Sequence, residues 1–292
     1  MMEVRPEVNK IAVTGGSGKL GTRLVKELLR QGIEVVSIDT VGSNQLHCKQ
    51  IKADLSQFGE VVSAVQGVDA IIHLAAIPAP KGYTNPYIFT NNTISAYNIL
   101  EAAAVLGIRK VVMGSSESSY GFAWAKTRFS PDYVPVDEEH PQQPQECYGL
   151  SKVVNEVTAE MFDRSVGMQV ISLRFSLIAS PEEYRHLSIS KPEQFKHIFW
   201  SYIDIRDAVS ACIASLHVED RGAINLNITS DDCLSDWETL KLLDTFYPDV
   251  TDRRSAFQGF EAIVSNELAK KLLPWKPLHS WRNEHGQAKR ED

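Results

Sequence analysis

Cysteine is scarce in this chain. Four residues, Cys48, Cys147, Cys212 and Cys233, are spread over 292 positions, with none of the close pairs that structural metal sites use. Zinc modules and disulfide frameworks are therefore excluded, no metal is expected, and the thiols read as reduced side chains of a cytoplasmic protein. Long apolar runs are missing as well. No stretch approaches the ~20 residues that cross a bilayer, and the opening MMEVRPEVNK has no hydrophobic signal segment. Positive charge is in deficit, with 30 Lys and Arg against 37 Asp and Glu and a net charge of −7. Without a basic block, neither nucleic acid nor an anionic membrane surface is an expected partner. Internal repeats and low-complexity tracts are absent too.

What is present is a globular composition, 43% hydrophobic and 23% charged, with ample material for a core. The length exceeds a typical domain of roughly 100–150 residues, which points to one large α/β unit with a small appendage. Short β-branched runs alternate with helical stretches. KIAVTG (10–15), EVVSID (34–39), IKAD (51–54), DAIIHLAA (69–76), RKVVMGSS (109–116) and QVISLRF (169–175) read as strands. Between them, 19–32, 58–67, 90–107 and 151–167 carry apolar residues at helical spacing. Nearly uninterrupted apolar strands separated by helices imply a parallel sheet covered on both faces. Past Phe175 the rhythm breaks: 180–200 is polar and irregular, 202–219 turns into a helix, and INLNI (224–228) is a further strand.

The run TGGSGKLG (14–21) lies between the first strand and the first helix. It is not a triphosphate loop. With Gly18-Lys19 as the G-K pair, position 13 should be glycine and is Val13, and the residue after the lysine is Leu20 rather than Ser or Thr. The spacing Gly15, Gly18, Gly21 instead matches a dinucleotide turn: one glycine for the tight turn, one for close approach of the pyrophosphate, one for helix–strand packing. Lys19 and Leu20 then open the helix whose N-terminus receives the phosphates. Asp39 closes the second strand, 18 residues beyond Gly21, where a carboxylate accepts both ribose hydroxyls and repels a 2′-phosphate. No Arg or Lys follows it until Lys49, so the expected cofactor is NAD rather than NADP. Asp54 and Leu55, after the third strand, stand where an adenine would be flanked.

YGLSK places Tyr148 and Lys152 four residues apart at a helix start, on one face. A phenol with a pKa near 10 is a poor base at neutral pH. A nearby ammonium stabilises the phenolate, and the tyrosine can then exchange a proton with a substrate hydroxyl or carbonyl as hydride moves. In GSSESSYG (114–121), Ser115 and Ser116 leave the fifth strand at its carboxyl end, the ligand side of open α/β sheets. A hydroxyl there can hold the reacting oxygen.

The glycine run, Asp39, HLAA (73–76), SSESSYG and YGLSK together resemble the extended short-chain dehydrogenase/reductases, the NAD-dependent epimerase/dehydratase group, over roughly residues 10–280. The resemblance implies a Rossmann doubly wound parallel sheet with a small C-terminal substrate-binding region. The division expected is 1–175 for NAD and mainly 176–292 for substrate, with 202–228 returning to the sheet. It implies Tyr148 as acid/base, Lys152 as its modulator and ribose contact, and Ser116 as hydroxyl partner. Leu74, Ala75 and Ala76 are implied to line the cofactor. Asn92, in NTISAYN where the family has N-x-x-G-T-x-N, is a structural or relay candidate grouped with the cofactor contacts. His73 reads as a packed histidine. A homodimer through the helices at 90–107 and 151–167 is a family-level implication.

Two departures narrow the function. Family dehydratases resemble S-T-D-E-V-Y-G at the strand end; here the paired positions are Glu117 and Ser118, so the second carboxylate is missing. The motif resembling L-R-x-x-N-V-Y-G-P is LRFSLIASP (173–181), with Leu177 in place of the substrate-contacting asparagine. The segment from Arg174 to Asp204 is short for a nucleotide-diphosphate cradle. The expected substrate is therefore a small free sugar, sugar acid, lactone or polyol, as in the compact uronate-dehydrogenase branch. Ser115, Glu117, Arg174, Ser176 and Arg185 are the candidate substrate contacts. An epimerase with tightly held NAD is the alternative, and a non-catalytic NAD-sensing module the minor one.

Overall fold

Residues 11–13 and 70–72 expose none of their surface, and residues 35–38 almost none. Such runs, buried on both faces, are satisfied only inside a sheet with helices above and below. The computed structural model describes residues 8–219 and 221–288. Its strands are β1 (Lys10–Thr14), β2 (Glu34–Asp39), β3 (Lys49–Lys52), β4 (Ala70–His73), β5 (Lys110–Ser116), β6 (Gln169–Phe175), β7 (Leu177–Ala179), β8 (Tyr202–Asp204) and β9 (Ala223–Ile228). Seven of them form one sheet in the order β3-β2-β1-β4-β5-β6-β9, every pair parallel. β7 and β8 pair separately. This is the Rossmann architecture read from the strand pattern.

The helices are α1 (Lys19–Arg30), α2 (Phe58–Ala64), α3 (Asn85–Leu106), α4 (Cys147–Val166), α5 (Pro181–Tyr184), α6 (Pro192–Phe195), α7 (Ile205–Ser215), α8 (Thr239–Phe246), α9 (Glu267–Leu272) and α10 (Trp281–Ala288). α1 buries Leu24, Val25 and Leu28, a stripe at helical spacing, against one sheet face with α7 and α9. α2, α3 and α4 cover the other face. No helix of the described residues is long and apolar enough to cross a membrane.

A third core is built from Tyr120, Phe122, Val134 and Val136 together with Tyr184, Trp200, Tyr202, Leu242 and Trp281. It takes side chains from both sides of position 175, because the chain between β5 and α4 folds over the lobe formed by the C-terminal third. The segment 180–200, irregular by sequence, contains α5 and α6. Ser180 donates its backbone N–H to Glu183 at 2.8 Å, and Pro181 sits in the first turn, two features that start a helix. α4 begins at Cys147 rather than 151, because the Glu146 carboxylate accepts the N–H groups of Tyr148 and Gly149, both at 2.6 Å. α3 begins at Asn85 with Pro86 in its first turn.

Candidate active site

The sheet order reverses between β1 and β4, which opens a crevice above their carboxyl ends. A cleft of about 840 Å³ occupies it, running from the glycine turn to the third core. The turn is shaped for close approach. Gly15 has φ +69°, and a Cβ there would lie 2.7 Å from the Ala75 nitrogen. A Cβ on Gly21 would fall onto the Gly15 carbonyl oxygen and within 2.8 Å of the Gly16 Cα, so glycine at 21 lets α1 dock on the turn. A Cβ on Gly18 would meet only the Gly15 oxygen, at 3.2 Å, and Gly18 lines the cleft. The backbone there is left bare toward the cavity, and no side chain caps α1. The positive helix end is free for an anion, as the pyrophosphate of a dinucleotide requires. Asp39 lies beside the turn and accepts the Ser17 N–H at 3.0 Å.

β5 and α4 bring the second group together. Ser116, Tyr148 and Lys152 all line the same cleft as Gly15, Gly18, Lys19, Leu20 and Gly21. The Ser116 hydroxyl lies near enough to the Tyr148 phenol to favour its ionisation, and it accepts the Ser118 N–H at 3.1 Å. Lys152 donates to the Gly114 carbonyl at 2.7 Å. Burial pushes Tyr148 up to about 12, with the charges of Glu146 and Glu117 adding to the rise and Ser116 opposing it. Burial holds Lys152 down at about 8, opposed by Glu156. The sequence-based expectation that Lys152 lowers the phenol pKa therefore does not describe this arrangement. Its ammonium is engaged by a backbone carbonyl, and desolvation governs the phenol. Close packing of α4 on the strand end depends on Gly149, whose Cβ would collide with the Ser118 carbonyl.

The remaining sequence candidates divide. Leu74, Ala76, Ser115, Glu117 and Ser176 line the cleft. Asp39, Asp54, Leu55, Ala75 and Asn92 do not. Asp54 is exposed and caps Ser56, whereas Leu55 is buried in the second core. Asn92 is buried and ties down the loop after β4, accepting the Ile77 N–H at 2.8 Å and donating to the Ile77 carbonyl at 3.0 Å. Arg174 faces away from the cleft into a buried ion pair with Glu156, with Nε–Oε1 at 3.0 Å and Nη2–Oε2 at 2.8 Å. Ser115 donates to the same carboxylate at 2.6 Å. Arg185 is exposed and outside the cleft. His73 is packed against Thr14, with Oγ1–Nδ1 at 2.7 Å, and burial holds it neutral with a pKa of about 3.

Sequence reasoning missed several lining residues. Lys81, Trp124, Gln194 and His197 reach the cleft from loops and the very short helix α6, where periodicity carries no signal. Lys81 stands 5.6 Å from the centroid of the Trp124 ring. Lys19 spans the cleft mouth, bonding Glu183 at 2.5 Å and the Ile178 carbonyl at 2.8 Å. Among the described residues no cluster of His, Cys, Asp and Glu could hold a metal ion.

Comparison with known proteins agrees with the fold and its expected family. The profile of the NAD dependent epimerase/dehydratase family matches residues 11–228. A UDP-glucose 4-epimerase of Lacticaseibacillus casei is 28% identical over 310 residues, 91% of each chain. A uronate dehydrogenase of Agrobacterium fabrum is 31% identical over 185 residues, covering 62% of this chain and 66% of that protein. A short-chain dehydrogenase/reductase superfamily protein from Agrobacterium tumefaciens, solved with bound NAD, superposes with a TM-score of 0.75 at 21% identity, covering 97% of both chains. At that identity the superposition speaks to the fold.

Proposed function

Since this chain belongs to the NAD dependent epimerase/dehydratase family, whose cofactor is NAD, we propose that it is a dehydrogenase of a small sugar, sugar acid or related polyhydroxy compound. The observation that carries the substrate size is the cleft lining. No arginine lines it among the described residues: Arg174 is paired with Glu156 and Arg185 points to solvent. A sugar nucleotide brings a doubly charged diphosphate, which proteins favour arginine forks to bind. Lys81, Gln194, His197 and Trp124 suit a single small polar ligand better.

The roles follow from position. NAD, when bound, supplies the hydride acceptor. The Ser116 hydroxyl and the Tyr148 phenol line the same cleft, where a substrate hydroxyl can be held by the first and deprotonated by the phenolate form of the second. Lys152 keeps a positive charge one helical turn away. A free cleft-facing glycine turn and Asp39 would hold the dinucleotide. The test is a panel of free aldoses, uronic acids and nucleotide sugars, scored for NADH absorbance beside a mass measurement of product. Steady NADH with a free sugar or sugar acid is expected, and NADH formation only with nucleotide sugars would overturn the size argument.

The 91% length match to a UDP-glucose 4-epimerase favours a second reading, in which reduced cofactor is retained and returns hydride to the other face. It requires NAD that copurifies and no net reduction. We further propose a homodimer. α3 and α4 pack together on one side of the sheet and leave Tyr97, Leu150 and Val157 exposed, an apolar surface suited to a second copy.

A further inference from the structure

Glu117 follows β5 on the substrate side of the cleft, at the start of the short turn Glu117–Tyr120. Its carboxyl contacts the Ser201 hydroxyl and lies near the Ser176 hydroxyl and the Leu177 N–H. The Ser201 contact decides its protonation. Ser201 Oγ is within hydrogen-bond reach of two oxygens, Glu117 Oε2 and the Ile198 carbonyl, the latter at 2.6 Å. A serine hydroxyl carries one proton, and a carbonyl can only accept. With Ser201 donating to Ile198, the proton between Ser201 and Glu117 has to come from the carboxyl. The Leu177 N–H, which can only donate, requires an acceptor on the same carboxyl. One donor and one acceptor is the pattern of a neutral carboxylic acid.

The surroundings agree. Tyr148 and Lys152 on α4, Tyr120 on the same turn, His197 after α6, Lys19 on α1 and Lys81 after β4 are the titratable groups lining the cavities that Glu117 faces. Among the described residues none forms an ion pair with it. Burial holds His197 low, so it supplies no cation. Burial pushes Glu117 up to about 8. Ionised, Glu117 is one of the charges that raise Tyr148, against the proton transfer the phenol performs.

Resting on the dehydrogenase reading, we propose that Glu117 is a positioning residue that works as a neutral acid. Its proton pins Ser201, and with it the turn before β8, to the end of β5. The pin holds residues 176–178 as the substrate wall and keeps negative charge away from Tyr148. The relationship links two segments 84 positions apart, across the join between the nucleotide sheet and the third core.

The test uses the full-length protein. Infrared difference spectra of wild type against Glu117→Gln should show a neutral carboxyl stretch at neutral pH, lost as pH rises through about 8. Glu117→Gln keeps a donor for Ser201 and an acceptor for Leu177. It should hold kcat/KM within about threefold of wild type and lack the rise in KM expected of wild type above about pH 8. Glu117→Ala leaves both partners unpaired and should raise KM roughly tenfold or more, with NAD affinity unchanged as evidence of folding. A carboxylate band alone at neutral pH, or Glu117→Gln as impaired as Glu117→Ala, overturns the proposal. The infrared band needs no substrate, so it stands or falls separately from the dehydrogenase reading.

Discussion

The Lys152 ammonium lies 5.6 Å from the centroid of the Tyr148 ring, yet its hydrogen bond goes to the Gly114 carbonyl at 2.7 Å. The lysine is thus tied to the β5 backbone rather than bonded to the phenol. Tyr148→Phe removes the proton carrier but keeps the ring, so turnover should fall by about 10²–10⁴ with NAD affinity little changed. Lys152→Met should lower both turnover and NAD affinity. Stopped-flow NADH formation with a titration of NAD binding separates the two patterns. Full activity in Tyr148→Phe would remove the phenol from the mechanism.

Gly18 and Gly21 have opposite vulnerabilities. A methyl group at 18 meets only the Gly15 oxygen, at 3.2 Å, but projects from a cleft-lining position. Gly18→Ala should leave the melting temperature almost unchanged and weaken NAD binding tenfold or more, roughly one lost hydrogen bond with close approach blocked. A methyl group at 21 meets the Gly15 carbonyl and the Gly16 Cα, atoms of fixed backbone. Gly21→Ala should cost stability as well as affinity. Thermal melts with and without NAD distinguish the two.

Arg174 belongs to the fold. Its guanidinium and the Glu156 carboxylate are 4% and 2% exposed, so removing one leaves a buried charge. Arg174→Ala should lower stability by about 3–5 kcal/mol, whereas Arg185→Ala, at an exposed position, should change it little. Denaturant unfolding measures both. An Arg174→Ala protein of normal stability but poor substrate affinity would return Arg174 to the substrate site.

Val157 on α4 is 54% exposed and Tyr97 on α3 42%. If this face meets a second copy, Val157→Glu should shift the protein to monomer in sedimentation equilibrium while far-UV dichroism stays unchanged. A wild-type protein that sediments as a monomer at micromolar concentration removes the dimer.

The nucleotide half was legible because its signals are local. Gly15, Gly18 and Gly21 announce backbone proximity, and Tyr148 and Lys152 share a helix face by spacing alone. The substrate half was not, because its relationships are long-range. Arg174 read as a substrate contact because Glu156 lies on another element, although Glu156 follows Lys152 by one helical turn and could have been placed beneath the site. Glu146 caps α4, a task sequence rules assign to Ser, Thr, Asp or Asn. The third core joins residues 120–136 to residues 179–281, and no periodicity within either segment records the other.

Glu117 also makes a prediction about stability. In the unfolded chain its carboxyl releases its proton near the ordinary value of 4.5, whereas in the folded protein it holds it to about 8. Between those values the folded state binds the extra proton, so this residue's contribution falls as pH rises and levels off above the upper one. Glu117→Gln cannot ionise and lacks this loss. The difference in melting temperature, mutant minus wild type, should therefore be smallest near pH 4.5, grow up to about pH 8 and stay constant beyond. Melts across that range decide it. A difference that stays flat across that range would mean that Glu117 is held ionised in the folded protein, with the Ser201 hydroxyl donating to it instead of to Ile198.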